Sequence, residues 1–239
     1  MTRPVIAMNM AYDKFKSWES NYIFDNYVQA IIKAGGTPLL IPTLEEDVII
    51  DEYISMADGF LFIGGSDYDV RYFGHQLHPE TLLTRIRPQW DIILFQKALK
   101  TKLPILGICA GCQLLNLVTN GMLNQHLDNA DSYHRNGLIH KASLTDQAYW
   151  MAKAVALDDL NSNIFTVNSY HHQAVMLDKL GENIILSALA DDNTVEAIEL
   201  DDKKRMVLGV QFHPERLGDK GSGYFKLLIN EALNGMEKK

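Results

Sequence analysis

Cys109 is the residue whose sequence surroundings point most directly to chemistry. It lies in the run Gly107-Ile108-Cys109-Ala110-Gly111, where a predicted buried strand passes into a predicted helix. This pattern is the cysteine counterpart of the G-x-S-x-G turn, in which flanking glycines allow a turn tight enough to present a nucleophile. The amides that begin the next helix point at the sulfur and favour its thiolate form. We therefore predict a nucleophile; the alternative is a buried cysteine that packs as a small apolar side chain.

A cysteine nucleophile needs a base, and the base needs a group that orients it. The run Gln211-Phe212-His213-Pro214-Glu215 offers both at the end of an apolar strand. Side chains 213 and 215 of an extended chain project to the same side. Ligands gather at the carboxyl ends of the strands in open α/β sheets, so this run is predicted to meet Cys109 there. The prediction is a catalytic set of Cys109, His213 and Glu215.

The turn Gly64-Gly65-Ser66-Asp67 follows a third apolar strand. Its exposed amide at Gly65, together with the amide of Ala110, could form an oxyanion hole that stabilises the charge developing in acyl transfer. Taken alone, the same residues are better explained as a plain glycine turn.

The first half of the chain alternates short apolar strands with helices, which predicts a parallel sheet covered on both faces. Strands are predicted at Pro4–Met8, Thr37–Ile41, Gly59–Ile63 and Pro104–Ile108. Helices are predicted at Tyr22–Ala34, from the acidic residues Glu45, Glu46 and Asp47 to about Met56, at Trp90–Lys100 and at Gly111–Val118. The stretch Asp69–Pro88 shows no clear period and is predicted to be a long surface loop.

The second half of the chain changes to short β-like runs and a closing helix at about Gly223–Leu233. These runs are Ile139–Leu144, Ile164–Val167, Ile184–Leu189, Val195–Leu200 and Val207–Phe212. The chain shows no repeat, low-complexity tract or linker, so a single domain over residues 1–239 is predicted.

Composition narrows the class of protein. The 239 residues include 30 acidic and 22 basic side chains, a formal charge of −8, so a nucleic-acid partner is not expected. No apolar run approaches the ~20 residues that span a bilayer, and the first apolar stretch ends at Asn9, too short for a signal-peptide core. Cys109 and Cys112 lie too close for a disulfide scaffold. A cytoplasmic α/β protein without a membrane partner is expected.

Five ordered segments resemble the class I glutamine amidotransferase-like superfamily, and within it the γ-glutamyl-γ-aminobutyrate hydrolase (peptidase C26) group. These segments are Ala34–Pro38, Gly64–Asp67, Gly107–Gln113 with its continuation to Gln125, Val167–Val175 and Gly209–Glu215. The resemblance implies a flavodoxin-like domain in which Cys109, His213 and Glu215 cleave a γ-glutamyl amide through a thioester. It also implies that Gly64, Gln113 and the backbone of His172 and Gln173 bind the glutamyl head group.

The same resemblance implies a small-molecule γ-glutamyl substrate, a place in polyamine (putrescine) catabolism, and no metal or organic cofactor. A homodimer is one expected assembly. The chain departs from the family pattern where Ala110 replaces a common Arg, Asn120 a glycine, His126 an acidic residue and Asn193 the glycine of Asp-Gly. Ala110 and His126 lie near the expected pocket, so these departures bear on the substrate rather than on the chemistry.

Three other interpretations remain open. Cys109-x-x-Cys112 at a helix start also fits a thioredoxin-like redox pair, although that would leave the glycines and His-Pro-Glu unexplained. A glutaminase subunit that passes ammonia to a synthetase partner, or a binding module without activity, would share the same motifs. Six histidines are candidate metal ligands: His75, His78, His134, His140, His171 and His172. Their separations along the sequence match no strong zinc-binding pattern, so surface or substrate-contacting positions are predicted for them.

Overall fold

The computed structural model describes residues 2–15, 17–43, 47–83, 87–158 and 162–237. Thirteen strands lie in these ranges: β1 (Val5–Asn9), β2 (Ala11–Phe15), β3 (Trp18–Tyr22), β4 (Thr37–Ile41), β5 (Gly59–Phe62), β6 (Ile105–Ile108), β7 (Leu123–Asn124), β8 (Leu138–Leu144), β9 (Ile164–Ser169), β10 (Ala174–Val175), β11 (Ile184–Ala190), β12 (Val195–Leu200) and β13 (Val207–Val210). Nine of them form one sheet in the order β4-β1-β5-β6-β13-β12-β11-β8-β9. The five strands from β4 to β13 are parallel, and the four that follow are antiparallel.

Six α-helices lie in the described residues: α1 (Asp25–Ala34), α2 (Asp47–Met56), α3 (Arg87–Lys100), α4 (Ala110–Val118), α5 (Trp150–Leu157) and α6 (Ser222–Met236). Two apolar cores show that they cover both faces of the sheet. One core joins the sheet to α1, α5 and α6, and the other joins it to α2, α3 and α4. The predicted α/β class, with a mostly parallel central sheet and extra strands in the second half, is confirmed. No helix in these ranges is both long and apolar enough to cross a membrane.

The centre of the sheet places the ends of neighbouring parallel strands together. In the pairing of β6 with β13, Ile108 lies opposite Val210, and in the pairing of β5 with β6, Phe62 lies opposite Gly107. Because all three strands run in one direction, the residues that follow them emerge at one edge. This register determines where the functional side chains lie.

Several local predictions were wrong. Tyr22 ends β3, so α1 begins only at Asp25, and the hairpin of β2 and β3 was not predicted. The predicted loop at Asp69–Pro88 contains a 3-10 helix at Val70–Phe73, and α3 begins within it at Arg87. Helix α5 was also missed. Glu45 and Glu46, predicted to begin α2, lie outside the described residues.

The first turn of α5 depends on a side chain from a distant strand. The carboxylate of Glu199, on β12, accepts hydrogen bonds from the amides of Tyr149 at 3.2 Å, Trp150 at 2.8 Å and Met151 at 2.9 Å. These amides have no partner inside the helix, and a carboxylate there also interacts favourably with the helix dipole. The cap is 48 to 50 residues away in sequence, so no local signal marks the start of this helix.

Candidate active site

Cys109 lies on a sharp turn between β6 and α4. Its backbone has φ 51° and ψ −104°, in the region where φ is positive and L-residues other than glycine are strained. A Cβ on Gly107 would lie 2.6 Å from the carbonyl oxygen of Gly111, and a Cβ on Gly111 would collide with the carbonyl oxygen of Phe62. Both flanking glycines therefore allow α4 to start directly against the sheet.

The parallel pairing of β6 and β13 brings the His213 segment to Cys109. The amide of Cys109 donates to the carbonyl of Val210 at 2.7 Å, so the chain leaving β13 passes beside the sulfur. In that segment Nε2 of Gln211 lies 3.6 Å from Sγ of Cys109, and the Cys109 sulfur is close enough to His213 to interact electrostatically with its ring. Cys109 is only 6% exposed and His213 is also 6% exposed, so both are largely shielded from water.

His213 and Glu215 form a short hydrogen bond, although not in the extended conformation predicted. Nδ1 of His213 lies 2.6 Å from Oε1 of Glu215, whose side chain is fully buried. Strand β13 ends at Val210, and Pro214–Arg216 is a 3-10 turn that brings residue 215 back toward residue 213. The structure thus brings Cys109, His213 and Glu215 together by a tight turn rather than by the alternation of a strand.

The charges around His213 favour its protonated form. Burial alone would lower the pKa of His213, but the Cys109 sulfur and the Glu215 carboxylate outweigh burial and raise this pKa from 6.5 to about 10. The arrangement is that of an imidazolium between two negatively charged or acceptor groups.

The glycine turn after β5 lies against the same side chains. A Cβ on Gly64 would lie 2.8 Å from Cε1 of His213 and 3.4 Å from Cβ of Cys109, and the amide of Gly64 donates to the Tyr27 hydroxyl at 3.1 Å. The amides of Gly65 and Ala110 have no hydrogen-bond partner among the described residues. These two amides, each directly after one partner of the Gly64–Cys109 contact in the sequence, therefore have unused donor capacity.

Two buried residues that sequence reasoning did not assign to the site hold His213 in place. Asn168, on β9, accepts from the His213 amide at 2.8 Å and donates to the His213 carbonyl at 2.9 Å. The hydroxyl of Tyr27, on α1, lies 3.4 Å from Nδ1 of His213. Tyr27 matches the helical apolar spacing, which explains a core role but gives no signal of contact with a histidine 186 residues away.

The residues predicted to bind the glutamyl head group lie beside the segment that carries Gln211 and His213. Most of their polar groups are hydrogen-bonded within the protein. The Gln113 side chain donates to the Gln173 carbonyl at 3.0 Å and to Oε1 of Gln211 at 3.2 Å. The Gln173 carbonyl also accepts from His171, and the His172 carbonyl accepts from the amide of Leu127. Because both carbonyls already accept hydrogen bonds, only the backbone N–H groups of residues 172 and 173 remain to bind a substrate.

His126, one of the departures from the family pattern, belongs to a group of side chains around His172. Its ring stacks on His78 with centroids 5.4 Å apart and meets His172 edge-on at 6.5 Å. His172 in turn bonds Asp67 at 2.9 Å, which ties the loop after β5 to the segment after β9.

Two further departures have a backbone explanation. Asn120 has φ 69° and Asn193 has φ 66°, so both occupy the left-handed region where glycine is common. Among residues other than glycine, asparagine is one of those that adopt this conformation most readily, so asparagine at each position is compatible with the turn.

Cys112 does not share the environment of Cys109. It is fully buried, and burial raises the pKa of its thiol well above the ordinary value. A Cβ on Gly209 would lie 2.9 Å from its sulfur, which shows how tightly this side chain packs on β13. These features are typical of a structural cysteine and not of a reactive dithiol partner.

Comparison with known proteins identifies the family. The peptidase C26 family model matches residues 4–215. A Mycobacterium tuberculosis protein named "Putative glutamine amidotransferase" is 32% identical, with 97% of this chain and 75% of that protein aligned. The γ-glutamyl-γ-aminobutyrate hydrolase of Escherichia coli K12 is 27% identical, over 90% of this chain and 87% of that protein.

The solved structures support the same fold. A Thermoplasma acidophilum protein described as a "putative gmp synthase subunit a protein" superposes with a TM-score of 0.67 at 16% identity, covering 100% of this chain and 98% of that one. At this identity the likeness concerns the fold alone. The family model, the aligned relatives and the fold agree, and family membership supports a hydrolase: the chain belongs to the peptidase C26 family.

Proposed function

We propose that this chain, as a single domain, hydrolyses γ-glutamyl amides through a thioester formed on Cys109. The observation that carries the proposal is the position of His213, which interacts electrostatically with Cys109 and is hydrogen-bonded to the buried Glu215 carboxylate. Nucleophile, base and orienting group are the three parts that acyl transfer to a cysteine requires.

In the first step, the Cys109 thiolate attacks the γ-carbonyl carbon of the substrate and forms a carbon–sulfur bond. The carbonyl oxygen becomes an oxyanion, and the available amides of Gly65 and Ala110 donate to it. Because Gly64 already donates to Tyr27, its own amide is committed to holding the turn rather than to the oxyanion.

In the second step, the imidazolium of His213 passes a proton to the departing nitrogen as the carbon–nitrogen bond breaks. Glu215 stabilises the imidazolium and fixes the ring through Nδ1, so that Nε2 is directed to the reacting atoms. The amine leaves and the thioester remains on Cys109.

In the third step, water adds to the thioester while His213, now neutral, accepts a proton from it. The carbon–sulfur bond breaks, the thiolate is restored, and glutamate is released with its new carboxylate. These steps need only side chains and amides of this chain.

The shared part of every substrate in this class is the glutamyl head group. The Leu127 amide holds the His172 carbonyl at 2.8 Å, and this fixes the Gln173 N–H, which belongs to the same planar peptide unit. We propose that the N–H groups at 172 and 173, with Gly64, bind the head group, so that selection of the leaving amine depends on the loop after β5 and on the region of His126.

The second candidate is a glutaminase that delivers ammonia to a synthetase. It is favoured by one observation: the relative named as a glutamine amidotransferase is 32% identical, against 27% for the named hydrolase. The two functions share the chemistry at Cys109 and differ in the leaving group and in the need for a partner chain.

The deciding experiment compares kcat/KM of the purified chain for γ-glutamyl amines and for glutamine. We expect a γ-glutamyl amine to be the better substrate and to be cleaved without a partner. Denaturing mass spectrometry of a quenched reaction should show the γ-glutamyl adduct on the peptide that contains Cys109. Glutamine as the best substrate, or activity only with a synthetase present, would favour the second candidate. Adducts only on Cys112 would contradict both.

A further inference from the structure

Three histidines and a glutamate form a buried cluster close to the active site that the proposed reaction does not use. His134 ends a π-helical turn at Ala130–His134, His140 lies on β8, His171 follows β9 and Glu196 lies on β12. Their exposed fractions are 0%, 7%, 4% and 0%. The predicted surface positions were therefore wrong for these three histidines.

Three atoms of this cluster converge. Nδ1 of His134 lies 3.9 Å and Nε2 of His171 lies 4.0 Å from Oε1 of Glu196, and the three potential ligand atoms are all within 4.8 Å of one another. At these distances the nitrogens and the carboxylate are not hydrogen-bonded to each other.

The opposite nitrogen of each ring is already bonded, and this fixes the tautomers. Nε2 of His134 lies 2.8 Å from the Asp192 carboxylate, and Nδ1 of His171 lies 3.0 Å from the carbonyl of Gln173. Since both partners are acceptors, these nitrogens carry the protons. Nδ1 of His134 and Nε2 of His171 consequently carry lone pairs; that of His134 accepts from the Ser169 hydroxyl at 3.2 Å, and that of His171 is unpartnered among the described residues.

Buried atoms at the centre of the cluster have unused bonding capacity. Within the described ranges, Nε2 of His171 and Oε2 of Glu196 have no hydrogen-bond partner. A lone pair directed at a buried carboxylate is unfavourable unless a metal ion lies between them or the carboxyl, whose pKa burial raises, takes up a proton. A metal ion on Nδ1 of His134 would replace the hydrogen bond that the Ser169 hydroxyl donates to this nitrogen. His140 donates to Oε1 of Glu196 at 2.9 Å and orients the carboxylate.

We propose that His134, His171 and Glu196 form a zinc-binding site. Two neutral imidazole nitrogens and a carboxylate are a typical donor set for Zn²⁺. For bonds of about 2.0–2.1 Å, tetrahedral ligand atoms lie about 3.4 Å apart, so the two measured pairs need to contract by about 0.5 Å each. Glu196 and Asp192 together carry the two negative charges that balance the cation.

The surroundings have the features of a second coordination sphere. Metal-bound histidines usually donate their other N–H to a carboxylate or a backbone carbonyl, as His134 does to Asp192 and His171 does to Gln173. In binding zinc, the cluster would join the turn at His134 and the segment carrying Gln173 to β12. None of the three ligands belongs to the proposed hydrolytic set of Cys109, His213 and Glu215.

Zinc binding is tested on the full chain carrying Cys109→Ser, which removes the reactive thiol as a competing ligand. The chain is stripped with a chelator and then titrated with ZnCl₂ against a chromogenic chelator. We expect about one Zn²⁺ per chain, and loss of that binding in the added variant His171→Gln. Asp192→Asn, which alters only the second sphere, should weaken the affinity by about 10- to 100-fold. His75→Gln, a matched change of a histidine outside the cluster, should leave binding unchanged.

The ligands can be identified without relying on a variant that folds poorly. X-ray absorption at the zinc edge of the Cys109→Ser chain should show two imidazoles and one carboxylate, with metal–ligand distances of about 2.0–2.1 Å. Less than about 0.1 Zn²⁺ per chain, equal binding by a folded His171→Gln variant, or sulfur in the coordination shell would each overturn the proposal.

Discussion

The close approach of α4 to the sheet at Gly107 leads to a prediction whose size follows from the structure. In Gly107→Ala the new Cβ would lie 2.6 Å from the carbonyl oxygen and 2.7 Å from the carbonyl carbon of Gly111, and 3.0 Å from the amide nitrogen of Cys112. All three are backbone atoms, so no side-chain rotation relieves the overlap. Restoring ordinary contact requires the first turn of α4 to move by about 0.8 Å.

Such a movement has two expected consequences. Overpacking of this kind lowers the free energy of unfolding by about 1–3 kcal/mol. It also displaces Cys109 and the Ala110 amide relative to His213, and a shift of this size at reacting groups lowers kcat/KM by about 10- to 100-fold.

The assay combines three measurements: the urea midpoint of unfolding, kcat/KM on a chromogenic γ-glutamyl anilide, and the rate at which iodoacetamide alkylates Cys109. The alkylation rate does not depend on the substrate, so it reports the environment of the thiol even if the proposed activity is wrong. Gly235→Ala is the matched control. Gly235 lies in α6, and a Cβ there would meet no described atom within 4 Å beyond its chain neighbours and the adjacent backbone of the helix. Alanine should therefore raise stability by about 0.5–1 kcal/mol and leave alkylation unchanged.

The reasoning would be refuted by a Gly107→Ala protein whose urea midpoint, alkylation rate and kcat/KM all match the parent. That result would mean that the helix start adjusts freely and that the glycine is not needed for the turn. A loss of stability with an unchanged alkylation rate would contradict only the link between this contact and the position of the thiol.

The remaining predictions concern individual side chains of the site. Cys109→Ser should lower kcat/KM by at least about 10³-fold, with the fold intact by circular dichroism, whereas Cys112→Ala should keep most of the activity. Equal losses in the two variants would favour the interpretation as a redox pair. His213→Asn should cost about 10²–10⁴-fold, and full activity would remove the base from the mechanism. The pKa of His213 is raised to about 10, partly by Glu215. The stability that the protonated ring contributes is therefore complete below pH 6.5 and is lost as pH rises toward 10. Glu215→Gln should move the alkaline limb of the pH–kcat/KM profile to lower pH, and an unmoved limb would contradict this coupling. Asn168→Ala should lower unfolding free energy by about 1–3 kcal/mol and reduce kcat, which urea titration and steady-state kinetics would check; an unchanged kcat would show that the His213 backbone needs no such anchor.

The sequence alone determined the local features of this protein. Alternating apolar strands and helices predicted the parallel half of the sheet, because each element buries its own apolar face and short βα connections favour parallel neighbours. Gly107 and Gly111 predicted the turn at Cys109 for a similar reason, since the need for a residue without a side chain at a tight turn is itself local.

Tertiary structure decided everything that depends on residues distant in the chain. Helix α5 begins where it does because Glu199 caps its first amides, and the turn that aligns Glu215 with His213 replaces the extended chain that alternation predicted. Tyr27 and Asn168 reach His213 from 186 and 45 residues away. A hydrogen bond or a buried lone pair depends on distance in space, which the sheet register sets and the spacing along the sequence does not reveal.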